Sequence, residues 1–277
     1  MKNPVGVSTN TYHGFSTEQA LRGIAAAGFQ YVELGAVKGW TEHIMPADSD
    51  ERVQEVKNLA KSLGLDIISL AGHCNLMMKE RLEDFKDNIR LAKKLGCRYI
   101  VTSTGEAHIG KDEVFAEDVI VDSIKTVIPL LEEMDLMMVL EIHGEYGKSG
   151  EELMQICKKV GSPRCRVNYD TANVVLYAGL YPHEEVKTCA DYVAYVHLKD
   201  KDGAPKDWNF PAVGKGKLKL LETMEYLNAH GYEGPYMIEI EYTQDFCMRD
   251  KDQPGDIDVA NRAVKESYDY LKAHGKL

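Results

Sequence analysis

The chain has 277 residues, 44% hydrophobic and 28% charged, with a formal charge of -11 and a pI near 5.3. This composition suits a globular protein with a substantial core and excludes a disordered chain. The acidic balance opposes sequence-independent nucleic-acid binding, which needs Lys and Arg against phosphates, and no apolar run reaches the roughly 20 residues of a membrane span.

Strand-like and helical runs alternate eight times. The strands are expected at 5–10, 31–35, 66–71, 98–103, 136–142, 165–170, 193–198 and 235–240. After the first, Ser16 and Gln19 form a capping-box pattern, and Leu21, Ile24, Ala25 and Gly28 keep the i, i+3, i+4, i+7 spacing of an amphipathic helix. Gly28, Gly64, Gly96 and Gly161 each end a helical run where a left-handed cap is wanted. Ser149 and Glu152 suggest a second capping box, which starts the fifth helix just after Glu141 and His143. Eight βα units in this length predict one α/β domain over 1–277, a closed (β/α)8 TIM barrel, with a doubly wound open sheet as the alternative. Cys74, Cys97, Cys157, Cys165, Cys189 and Cys247 form no C-x-x-C pair, and the N-terminus lacks a signal-peptide core. Reduced thiols and a cytoplasmic location are expected.

Four late strands each carry one metal-capable residue near the C-terminal end: Glu141 in MMVLEIHG, Asp170 in RVNYD, His197 in AYVHLKD and Glu239 in PYMIEIE. Strand side chains alternate faces, so the apolar neighbours of each point outward and the four polar groups point into a shared interior. Glu241 has the same parity as Glu239, so alternation alone does not separate those two. Three carboxylates buried together without a cation would repel one another, which predicts a metal site at Glu141, Asp170, His197 and Glu239. An oxygen-rich set with one nitrogen favours Mn²⁺ or Mg²⁺ and tolerates Co²⁺ or Zn²⁺.

With LEIHG at 140–144, NYDTAN at 168–173, YVHLKD at 195–200 and GYEGPYMIEIE at 231–241, the chain resembles the sugar isomerase and epimerase barrels of the xylose isomerase-like superfamily. That superfamily also includes inosose dehydratases and apurinic endonucleases. The resemblance implies that Glu141, Asp170, His197 and Glu239 hold one divalent ion and that Glu141 and Glu239 double as acid and base. A metal and two carboxylates can stabilise an enediolate and move the proton between a sugar carbonyl and its neighbouring hydroxyl. An isomerase or epimerase acting on a ketose, sugar phosphate or oxidised sugar is therefore expected. A lyase is the alternative, either an inosose-type dehydratase or a 3-oxo-glycoside β-eliminase with a small partner subunit. A homo-oligomer is compatible with either.

The chain departs from the resembling ketose 3-epimerases at Asn173, where they carry His, and at Gly203, where they carry Arg, so their substrate grip does not transfer. His143 and Lys199 are further catalytic candidates, each set against a supporting or solvated role. A Schiff-base aldolase built on Lys199 and a non-catalytic sugar-binding barrel are the competing classes. His73 and His108 occupy places where the endonuclease branch puts zinc ligands, but Asn173 and the acidic charge oppose a DNA substrate. His13, Trp40 and His43 could line a sugar face, with Trp40 also readable as a loop anchor. Residues 201–217 read as a lid carrying Trp208 or as a static connector, and Gly214 and Gly216 are too sparse for a phosphate loop.

Overall fold

The structure is a computed structural model and describes residues 3–105, 117–241 and 255–277. The strands are β1 (Val5–Ser8), β2 (Tyr31–Gly35), β3 (Asp66–Ala71), β4 (Tyr99–Thr102), β5 (Met137–Glu141), β6 (Cys165–Asp170), β7 (Val193–Leu198) and β8 (Tyr236–Ile238). They pair in parallel in sequence order, and β1 also pairs with β8, which closes the barrel and removes the open-sheet alternative. The helices are α1 (Thr17–Ala27), α2 (Asp50–Ser62), α3 (Lys79–Leu95), α4 (Glu117–Met134), α5 (Gly150–Val160), α6 (Pro182–Glu185), α7 (Leu220–Ala229) and α8 (Ile257–Ala273). Among the described residues, no helix is long and apolar enough to cross a membrane.

Local chemistry explains the boundaries. At α1, Ser16 Oγ accepts from Gln19 N and Gln19 Oε1 accepts from Ser16 N, which satisfies two donors that the helix itself cannot. Gly28, Gly96 and Gly161 cap α1, α3 and α5 in the left-handed conformation, where a Cβ would be strained. At α5 the predicted box is half formed: Ser149 Oγ accepts from Glu152 N, but Glu152 Oε2 reaches one residue further back, to Lys148 N. Between β6 and β7 a regular long helix gives way to a π-helical turn at Val174–Ala178 and the single turn of α6. Such π turns recur beside functional sites.

Strand alternation divides the core in two. Leu140, Ile142, Val167, Tyr169, Val196, Leu198, Ile238 and Ile240 belong to the large cluster that includes the helices' apolar faces. Ile68, Ala71, Val101, Val139, Tyr195 and Met237 form a separate cluster inside the barrel. Gly6 is required where β1 crowds that interior: a Cβ there would sit 2.3 Å from Tyr31 O and 2.6 Å from the Met237 methyl.

Candidate active site

Parallel pairing sets Asp170 directly beside His197, and Glu141 beside Asn168, all at the C-terminal ends of their strands. Glu239 lies one residue beyond β8. One ligand atom from each of Glu141, Asp170, His197 and Glu239 lies within 4.8 Å of the other three, and all four residues are buried.

Two of these atoms have no hydrogen-bond partner. Asp170 Oδ1 accepts from the backbone N–H of Ala172 at 2.8 Å and of Asn173 at 2.7 Å, which leaves Oδ2 bare and buried. His197 Nε2 is 3.0 Å from Glu33 Oε1, which leaves Nδ1 buried without a hydrogen bond, 3.2 Å from Glu141 Oε1. A buried polar atom without a partner is costly, and two facing the same carboxylates fit a divalent cation. The donor set therefore suits the metal that the sequence pattern predicts.

Lys199 is buried rather than solvated. Its Nζ lies 2.9 Å from Glu239 Oε2, 4.0 Å from Asp170 Oδ2, and in ion-pair contact with Glu241. Burial pulls its pKa down, but Glu239, Glu241 and Asp170 outweigh that and hold it well above the ordinary lysine value. A Schiff base needs the neutral amine, so this environment opposes the aldolase reading. The same balance governs the acids. Burial resists ionisation of Glu141, yet His197 and His73 hold its carboxyl well below the usual range. Burial likewise resists ionisation of Glu239, and Lys199 keeps it low. Burial pushes Asp170 up to about 8, with Glu141 and Glu239 adding to the rise, and pushes Glu241 up to about 7.

A pocket of about 220 Å³ opens onto these groups, lined by Glu141, His143, Lys199, Glu239 and Glu241, with Trp40 and Trp208 among its walls. His143 lies near two rings, with centroids 5.5 Å from Tyr177 and 5.9 Å from His73. Glu241 shares Lys199 with Glu239, so the site brings together both acids that strand parity could not separate.

Three site residues carry more weight than sequence reasoning gave them. His73 Nε2 is 2.6 Å from Glu141 Oε2, so His73 belongs with the acid and not only with an endonuclease pattern. Asn10, in the turn that follows β1, donates from Nδ2 to Glu239 Oε1 at 2.8 Å and Glu241 Oε1 at 3.0 Å. Its Oδ1 accepts from Trp40 Nε1 at 3.1 Å and Thr41 Oγ1 at 2.6 Å. All four hydrogen-bonding positions of that amide are used, which fixes its orientation. Glu33, wholly buried in β2, holds His197. Its signal was present in YVELG, where a carboxylate alternates with Val32 and Leu34 as the four predicted ligands alternate with their neighbours.

Other expectations resolve differently. Trp40 lines the pocket with His13 stacked on it, ring centroids 4.2 Å apart, so His13 supports the wall without forming it. His43 is buried, bonds Phe15 O, and has its pKa lowered to about 4 by burial, so it is structural. Asn173, the departure from the ketose 3-epimerase pattern, donates to Glu141 Oε1 at 3.3 Å and Ile142 O at 2.9 Å. Asp200 accepts from the backbone N–H of Gly214, Gly216 and Leu218, which anchors the C-terminal end of the segment at 201–217. Its glycines serve that clamp. His108 lies outside the described residues.

Barrel topology and a polar cluster at the strand C-termini define a xylose isomerase-like TIM barrel, and that family matches residues 21–274: the chain belongs to it. An inosose dehydratase of Geobacillus thermodenitrificans (strain NG80-2) is 24% identical over 258 residues, covering 81% of this chain and 82% of that protein. Among solved structures, D-psicose 3-epimerase of Clostridium cellulolyticum H10 with D-tagatose superposes with a TM-score of 0.79 at 17% identity, covering 98% of each chain. D-allulose 3-epimerase of Methylomonas sp. in complex with D-allulose gives 0.76 at 14% identity, covering 98% of this chain and 96% of that one. Those structural likenesses establish the shared fold.

Proposed function

We propose that this chain is a divalent-metal-dependent sugar isomerase or epimerase that works through an enediolate, with Mn²⁺ the favoured ion. The observation that carries this reading is the buried cluster of Glu141, Asp170, His197 and Glu239, whose bare Asp170 Oδ2 and His197 Nδ1 face two carboxylates on the wall of a pocket. A divalent cation held there supplies a Lewis acid for a substrate carbonyl and its neighbouring hydroxyl.

The chain's own groups divide the remaining work. Glu239, kept ionised by Lys199, is a carboxylate able to take the proton from the carbon between carbonyl and hydroxyl. Glu141, from the other side of the cluster, exchanges protons with His73 through their 2.6 Å contact. Glu239 takes the proton from carbon and Glu141, once protonated from His73, returns one, which inverts a carbon or moves a carbonyl. Lys199 holds the proton balance of Glu239 and Glu241 and can donate to a substrate oxygen from Nζ. His143 lines the pocket, which supports a role for it as a further acid or base. Trp40 and Trp208 offer apolar faces to the C–H surface of a small carbohydrate, held out of water with a limited number of polar contacts.

A lyase is the second reading. It is favoured by Asn173 and Gly203 at the places where the ketose epimerases' grip is expected, and by the inosose dehydratase relative. The test is incubation of the Mn²⁺-supplemented protein with ketoses, sugar phosphates, inososes and 3-oxo-glycosides in D₂O. Deuterium in a recovered or rearranged sugar supports the isomerase reading, and an eliminated product supports the lyase. Absence of metal binding and of exchange with every substrate refutes both.

A further inference from the structure

We infer that Glu33 is a positioning residue for metal binding: it fixes which nitrogen of His197 faces the cluster. The inference rests on the proposed metal site but concerns a residue outside the ligand set. Glu33 has no exposed surface, inside a barrel otherwise filled by Ile68, Val101, Val139 and Met237. A lone carboxylate in such surroundings is costly to bury, and an apolar residue of similar size would fill the space more cheaply. Two contacts offset that cost. Glu33 Oε1 is 3.0 Å from His197 Nε2, and Oε2 accepts from Tyr195 Oη at 2.6 Å. Because the Tyr195 proton is committed to Glu33, the 2.6 Å contact between Ser69 Oγ and Tyr195 Oη has Ser69 as donor. The chain Ser69, Tyr195, Glu33, His197 thus runs from β3 through β7 and β2 to the site with each donor direction set.

The consequence falls on His197. A carboxylate can only accept, so Nε2 must carry a hydrogen, and in the neutral ring the lone pair is then on Nδ1. Nδ1 is the atom directed at the cluster, 3.2 Å from Glu141 Oε1. The contact also restricts the ring from turning and makes it a stronger donor toward a cation, the usual effect of a carboxylate behind a ligating histidine.

The test uses the full-length protein. Wild type, Glu33→Gln and Tyr195→Phe are stripped with chelator, checked for equal circular dichroism, and titrated with Mn²⁺ by calorimetry and by the electron paramagnetic resonance of free Mn²⁺. Glu33→Gln is expected to weaken Mn²⁺ binding about 10–100-fold. Tyr195→Phe leaves the carboxylate on the ring and is expected to weaken it only about two- to tenfold. A purely structural role would lower thermal stability in both variants without changing Mn²⁺ affinity. Wild-type affinity in folded Glu33→Gln overturns the inference; if that variant does not fold, unchanged affinity in Tyr195→Phe does so. Failure of wild type itself to bind Mn²⁺ would instead remove the metal-dependent reading on which the inference rests.

Discussion

Asp170→Asn is expected to stabilise the metal-free protein while destroying its response to metal. Burial and neighbouring acids lift the Asp170 carboxyl to about 8, against an ordinary value of 3.8. Between those values the folded chain binds more protons than the unfolded one. The contribution of Asp170 to metal-free stability is therefore fullest below about pH 4 and is lost as pH rises through 8, opposite in sign to the contributions of Glu141 and Glu239, whose carboxyls are held low. At pH 7 protonating the group on folding costs on the order of 4 kcal/mol. An amide removes that cost. Its oxygen can still accept from Ala172 and Asn173, and its NH₂ would occupy the place of the bare Oδ2 beside carboxylate oxygens. For a chain of this size the gain corresponds to roughly 5–15 °C in Tm. The assay is thermal unfolding with chelator at pH 5, 7 and 8, then again with excess Mn²⁺. With chelator, the advantage of the variant should grow as pH rises; with Mn²⁺, wild type should gain stability and the variant should not. A variant no more stable than wild type at pH 8 with chelator, or one raised equally by Mn²⁺, would refute the argument that these acids are frustrated without a cation.

Three further outcomes are expected. Glu239→Gln should keep the fold and abolish exchange of the substrate α-proton in D₂O, because an amide can occupy the same place but cannot act as a base; wild-type exchange would remove Glu239 as the base. His143→Ala should lower turnover about 100-fold or more if His143 transfers a proton, and kcat near wild type would assign it a supporting role on the pocket wall. Gly6→Ala should cost about 2–4 kcal/mol, since its Cβ would meet the Tyr31 carbonyl at 2.3 Å and backbone cannot step aside as a side chain can; denaturant unfolding at wild-type stability would contradict the close packing at that level of the barrel.

The alternating fold was legible in the chain because its determinants are local. Capping at Ser16, left-handed glycines at 28, 96 and 161, and period-two patterning fix strands and helices within a few residues of themselves. The convergence of Glu141, Asp170, His197 and Glu239 was legible for the same reason: each sits at the same phase of its own strand. Other relations depend on groups far apart in sequence. Lys199 is made a buried cation by Glu239 and Glu241, some 40 residues away. His73 meets Glu141 across 68 residues, and Glu33 meets His197 across 164. These contacts exist only because the barrel closes with a particular register, including the shifts between Val32 and Glu33 and between Val167 and Asn168. Sequence determined which residues face inward. Closure of the barrel decided which of them touch, and through burial and proximity it set their charges.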